Sequence, residues 1–140
     1  MGIFPQHFST LICMAVVGDQ VVHRVRLGQQ DAHYGGGLVD GAHLLKLFGD
    51  VATELLIRSD GVEGLLRAYS TVDFLAPVYG GDFLEIKGEI LQVGNTSRLM
   101  RFKAFKVIAA SRDPVHPDQG QVLNPPLLVA QAEGTCVVKK

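Results

Sequence analysis

Gly41-Ala-His-Leu-Leu-Lys-Leu-Phe-Gly-Asp-Val-Ala-Thr-Glu-Leu-Leu-Ile-Arg58 decides the fold. Leu44, Leu45, Leu47, Phe48, Val51, Ala52, Leu55 and Leu56 recur at helical spacing and share one broad apolar face. A face that wide needs cover from more than one side, so the helix is read as mostly buried. Asp40 stands at the N-cap position, and Asp60-Gly61 marks a turn beyond the helix end. No other segment has so strong a helical period; Val62 to Arg67 is read as a short further helical piece.

On both sides of this helix the pattern changes to strands. Upstream, Val21, His23, Val25 and Leu27 share one face, and Val22, Arg24 and Arg26 the other. A turn-rich loop follows from Gly28 to Gly37, ending in three consecutive glycines. These permit positive φ and close backbone approach to a ligand. Downstream, Ala68–Leu75, Phe83–Val93, Ser97–Ala109 and Leu127–Val138 read as strands. Their core faces carry Leu84, Ile86, Gly88 and Ile90, then Met100, Phe102 and Ala104, then Leu128, Ala130, Ala132, Gly134, Cys136 and Val138. Phe105 beside Lys106 suggests a bulge. Ser111–Pro126 holds four of the six prolines and reads as a surface excursion. Tight loops at Gly80-Gly81 and Gly94-Asn95 favour antiparallel neighbours. The expectation is an α+β fold, an antiparallel β-sheet wrapped around one long central α-helix.

Composition agrees. The chain has 140 residues, 47% hydrophobic and 19% charged, which excludes a disordered tail and fits one domain. Thirteen Lys and Arg against 14 Asp and Glu give a net charge of −1, so no global basic field exists to hold nucleic acid. Cys13 and Cys136 offer neither a disulfide framework nor a zinc spacing and read as apolar residues in a reducing compartment. No apolar run reaches the ~18 residues of a membrane span. No basic residue precedes the apolar stretch Leu11–Val17, and Gln6 breaks a myristoylation pattern. A cytoplasmic protein is expected. Residues 1–20 are nearly uncharged and aperiodic and are read as an N-terminal extension to a single domain over 21–140.

His43, Asp50 and Glu54 fall on one flank of the helix. Two acids and an imidazole there suit proton transfer or cation binding; the plain alternative is a solvated polar flank. The adjoining loop adds Asp31, His33 and Tyr34 and leads into the helix start near Gly41, where free N–H groups and a positive dipole stabilise a developing oxyanion. Asp31 also serves as a turn starter, His33 as a surface histidine and Tyr34 as packing. Asp73 reads either as an exposed strand residue or as part of the site. The turn Asn95, Thr96, Ser97 and Arg98 is a phosphate-contact candidate, a weak signal because such turns are common.

The element order resembles the hotdog fold of acyl-CoA thioesterases and hydratases. Gly41 to Ala52 looks like its central helix, and Val72 to Asp82 like the strand and turn that follow. A narrower resemblance is carried by Asp31-Ala-His-Tyr-Gly-Gly, Leu38-Val-Asp-Gly-Ala, Gly49-Asp-Val-Ala-Thr-Glu-Leu55, Phe74-Leu-Ala-Pro-Val and Val93-Gly-Asn-Thr-Ser. These are similar to the 3-aminobutyryl-CoA and β-alanyl-CoA ammonia-lyases, over Val21 to Lys140. Gly37 departs from the Asn expected there, and residues 1–20 have no counterpart.

The resemblance implies elimination of ammonia from a short-chain 3-aminoacyl-CoA, or the reverse addition. Glu54 is then the first choice for the Cα base, with Asp50 or Asp31 holding the ammonium. His33, Tyr34, Gly41, Asn95, Thr96, Ser97 and Arg98 become substrate-binding candidates. It further implies a homodimer assembled to a hexamer, with coenzyme A present only as part of the substrate and no metal or redox cofactor. Competing expectations are a thioesterase in which Asp50 activates water, an enoyl-CoA hydratase, and a non-catalytic acyl-CoA-binding module.

Overall fold

The computed structural model describes residues 14–139, so the reading of Cys13 and most of the 1–20 segment lies outside the described residues. Strand β1 (Gln20–Arg26) is followed by two 3-10 turns, Gln29–Asp31 and Gly35–Gly37. Helix α1 (Gly41–Asp60) comes next, then strands β2 (Leu65–Phe74), β3 (Phe83–Val93), β4 (Ser97–Ala110) and β5 (Gly120–Val137). The five strands form one antiparallel sheet in the order β1-β3-β4-β5-β2. This is the expected helix-in-sheet α+β fold.

The helix forms where its apolar period demands one, and its interior is held by burial rather than by capping. Asp40 has the extended N-cap backbone, yet its side chain makes no capping hydrogen bond. At the other end Gly61 adopts the left-handed conformation (φ 76°), and its N–H donates to the Ile57 carbonyl. Leu44, Phe48, Val51, Ala52, Leu55 and Leu56 are buried against Leu84, Ile86, Ile90, Met100, Phe102 and Ala132 of the sheet. Phe48 stacks on Phe102 with ring centroids 5.4 Å apart. Gly88 lets the helix settle onto β3, because a Cβ there would lie 2.6 Å from Val51 Cγ1.

Three local expectations are corrected. Val62–Arg67 is not helical: Gly61 and Gly64 both take positive φ (76° and 61°), and Leu65 and Leu66 already pair with Val137 and Cys136. The Gly80-Gly81 loop does not join neighbours; β2 lies at the far edge beside β5, while Gly94-Asn95 does connect the paired β3 and β4. The polar excursion is shorter than read, since β5 begins at Gly120 and Gln121 and Val122 pair with Ala109 and Ile108. Pro125 and Pro126 sit at the register break between the Lys106–Leu127 and Ile108–Val122 pairs, where the missing N–H interrupts no regular ladder.

The bulge expected at Phe105-Lys106 is present as two register shifts in the β4–β5 ladder. Lys106 itself keeps the buried-face alternation of Met100, Phe102 and Ala104, so that it is 6% exposed and forms an ion pair with Asp82, which is 1% exposed. Among the described residues no helix is long and apolar enough to cross a membrane.

Candidate active site

The loop before α1 folds back on itself because its glycines allow it. Gly36 and Gly37 take φ of 74° and 78°, and the His33 and Tyr34 N–H groups both donate to the Leu38 carbonyl. Leu38 then bridges to Tyr79, and Val39 N–H donates to the Val78 carbonyl. The start of the helix is thereby stitched to the Leu75–Asp82 loop. Between them lies an apolar groove lined by Leu38, Val39, Gly41, Leu44, Phe74 and Leu75. The Phe74 ring lies so close over Gly41 that a Cβ would come within 2.5 Å of it. A larger residue there would have to displace the Phe74 ring, which lies against the helix start.

A buried ion pair fixes the far wall of that groove. Asp82 accepts from Tyr79 N–H and Ala110 N–H at 2.8 Å each, and Lys106 Nζ lies 3.0 Å from its carboxylate. Lys106 also donates to the Pro77 carbonyl at 2.8 Å. Both buried charges are therefore paired and hydrogen-bonded, as burial requires. Sequence reasoning passed over this pair; the available signal was the two-residue period that sets Lys106 on the same face as Met100, Phe102 and Ala104.

Beside the groove, Asp31 Oδ2 accepts from Gly28 N–H at 2.8 Å, and Asp31 Oδ1 lies 3.7 Å from His43 Nε2. That separation is too long for a hydrogen bond. His33 and Tyr34 stand exposed at the rim, edge to face with centroids 4.8 Å apart.

The other acids of the flank lie elsewhere. Glu54 accepts from His23 Nε2 and from Arg58 Nε, both at 2.9 Å. The Arg58 hydrogen bond first, and the His23 hydrogen bond second, hold the Glu54 carboxyl below its ordinary range. Asp50 is exposed and pairs with Lys46 at 3.1 Å. His43 and Glu54 are eleven residues apart on the helix, about 16 Å along its axis. The structure therefore does not bring Asp31 and Glu54 to one centre within a single protomer. His23 was not among the residues singled out for chemistry. The signal was its place on the core face of β1 between Val21 and Val25, which points it at the helix.

The turn after β3 lies at the C-terminal end of α1. Arg98 is buried there and gives a bidentate pair to Asp60, at 3.0 and 2.7 Å. It also donates to the Gly94 and Ser97 carbonyls at 2.9 Å each. The Arg98 fork, expected at a phosphate, is here engaged in tying the helix end to the turn. Asn95 and Thr96 remain exposed and Ser97 is half-buried. Asp73 is exposed on the outer face of the sheet beside Gln131 and Lys103, away from the helix.

The polar residues thus form two separate groups, one at each end of α1. The first joins the helix N-terminus and apolar groove to Asp31 and His43. The second joins His23, Glu54 and Arg58, while Asp60 and Arg98 tie the helix end to the turn around Asn95. The first group can hold an acyl chain and a carbonyl oxygen; the second can exchange a proton.

Residues 36–107 match the model of the thioesterase superfamily. A 3-aminobutyryl-CoA ammonia lyase of Acetoanaerobium sticklandii is 56% identical over 119 residues, 85% of this chain and 94% of that protein. The structure of β-alanyl-CoA:ammonia lyase from Clostridium propionicum superposes with a TM-score of 0.84 at 39% identity, covering 89% of this chain and 88% of that one. A hexameric broad-specificity acyl-coenzyme A thioesterase shares the fold with a TM-score of 0.69 at 18% identity, covering 84% and 78%. The chain belongs to the thioesterase superfamily and, within it, to the family of CoA-thioester ammonia lyases.

Proposed function

We propose that this protein is an ammonia lyase that removes ammonia from, or adds it to, a short-chain 3-aminoacyl-CoA such as 3-aminobutyryl-CoA. The observation that carries the reading is the 56% identity to the 3-aminobutyryl-CoA ammonia lyase over nearly the whole of that protein. The chemistry suits the residues. Such a substrate has an ammonium at Cβ and a thioester that acidifies the Cα–H. The free N–H groups at the start of α1 stabilise the thioester oxygen as it gains enolate character. Glu54, held ionised by Arg58 and His23, takes the Cα proton. Asp31 or Asp50 holds the ammonium by charge. Coenzyme A enters as part of the substrate, and the elimination calls for no resident cofactor or metal.

These roles require two chains. Within one protomer the helix start and Glu54 are separated by more than 16 Å of helix. A two-fold partner running antiparallel would set the Glu54 end of one helix beside the groove end of the other. We accordingly assign a homodimer, assembled to a hexamer like the thioesterase that shares its fold. We place it in the cytoplasm.

The test is ultraviolet absorbance at the enoyl-thioester band, using crotonyl-CoA with and without ammonium, beside an assay for released thiol. Ammonium-dependent loss of the band without free CoA is the expected result. Loss without ammonium would mean hydration, and free CoA would mean a thioesterase; either overturns the proposal.

A further inference from the structure

Behind the substrate groove, across the Leu38–Tyr79 bridge, lies a second and polar cleft. Its walls are Gln29, Gly36, Gly37, Tyr79, Ser111 and Arg112. Arg112 belongs to the long β4–β5 connection, yet it is fixed at this place. Its guanidinium carbon stands 3.6 Å over the centre of the Tyr79 ring, and Nη1 donates to the Gly36 carbonyl at 3.2 Å. A guanidinium carries five N–H donors; among the described residues this is the one protein hydrogen bond that Arg112 donates. No carboxylate of the described residues lies within ion-pair distance of it, in contrast to Arg24, Arg58, Arg98 and Arg101.

The glycines keep the cleft open. A Cβ at Gly80 would lie 2.8 Å from Gln29 Oε1, and Gly36 holds a positive φ of 74° that side chains rarely adopt. Stacking on Tyr79 orders the cation before any ligand arrives, which lowers the cost of binding. A planar fork with spare donors matches the geometry of a phosphate.

We infer that the Arg112–Tyr79 cleft is an anion subsite that takes a phosphate ester of the coenzyme A nucleotide. This rests on the acyl-CoA reading of the neighbouring groove. From Leu38, which bridges to Tyr79, the chain reaches Gly41 in three residues, at most about 10 Å. A flexible thioester arm with its carbonyl at the helix start spans that interval. Arg98, the cation expected at a phosphate from the sequence, is buried against Asp60, whereas Arg112, beside the groove, keeps donors to give.

The test is calorimetric binding of butyryl-CoA and of butyryl-pantetheine, which lacks the nucleotide phosphates, to the wild-type protein and to Arg112→Gln. Neither ester undergoes elimination, so the result does not depend on lyase turnover. If the lyase reading fails in the crotonyl-CoA assay, the binding comparison still stands by itself. The expected result is about tenfold weaker binding of butyryl-CoA to Arg112→Gln, unchanged binding of butyryl-pantetheine, and competition between inorganic phosphate and butyryl-CoA in the wild type. Equal weakening of both esters would assign Arg112 a packing role and overturn the inference. So would unchanged binding of both, or a wild type with no preference for the phosphate-bearing ester. Inorganic phosphate binding that Arg112→Gln abolishes, with butyryl-CoA unaffected, would make this a free-anion site and overturn the CoA assignment. Arg112→Lys keeps the charge but loses the flat stacking, and binds between the other two.

Discussion

His23 Nε2 lies 2.9 Å from Glu54 Oε1, joining the core face of β1 to the flank of the central helix. Arg58 Nε holds the other carboxylate oxygen at the same distance. The carboxylate is therefore gripped on both oxygens by groups that favour its charged form, and Arg58 is the larger influence. The Glu54 carboxyl is thereby held below its ordinary range.

Glu54→Gln keeps the shape and the hydrogen-bonding reach to Arg58 while removing the base. Its kcat for ammonium-dependent turnover should fall by about 100-fold or more, the scale of a lost general base. Circular dichroism and the melting midpoint should stay close to wild type, because the side chain is more than a third exposed. A variant that folds normally and retains full turnover removes Glu54 from the mechanism.

Arg58→Gln addresses the pH profile. The Glu54 carboxyl is lowered from its ordinary 4.5, chiefly by Arg58. The acidic limb of kcat/KM follows the ionisation of the free enzyme's base, which the proposal gives to Glu54. The acidic limb of kcat/KM should accordingly lie below pH 4.5 in the wild type and move up toward it in Arg58→Gln. A limb that stays in place would assign that ionisation to another group.

How much of this was legible without coordinates follows from period and partner. The helix and the inward faces of β3 and β4 were readable because burial imposes a strict period on Leu44 to Leu56 and on Leu84 to Ala104. The strand order was not, because the Gly80-Gly81 loop looks the same whether it turns a hairpin or carries the chain across the sheet. Placing His43, Asp50 and Glu54 on one helical flank beside the Asp31 loop gave their direction but not their separation along the axis, so Asp31 and Glu54 read as one site. Arg98 read as a phosphate ligand because a cation in a polar turn says nothing of the Asp60 that lies 38 residues away in sequence.

Arg98→Gln tests that reassignment. It leaves Asp60, of which 11% of the side chain is exposed, without its partner. Breaking a buried pair by removing one member costs about 3–5 kcal/mol. Urea denaturation should show a loss of that order, while the KM for an acyl-CoA substrate stays near wild type in the folded protein. A raised KM with unchanged stability would restore Arg98 to the phosphate.

Lys106→Met should be destabilising by a similar amount, about 3–5 kcal/mol, because Asp82 at 1% exposure is left as an unpaired buried charge. Pairing it with Asp82→Asn should recover part of that loss, since a neutral amide needs no cation. The double variant still lacks the hydrogen bond from Lys106 to the Pro77 carbonyl, which fixes the groove wall at Val78. Its KM should therefore remain raised after its stability has partly returned. Urea midpoints and steady-state kinetics on the two variants separate the effects. A KM that recovers in step with stability would show that Lys106 acts on the groove only through global folding.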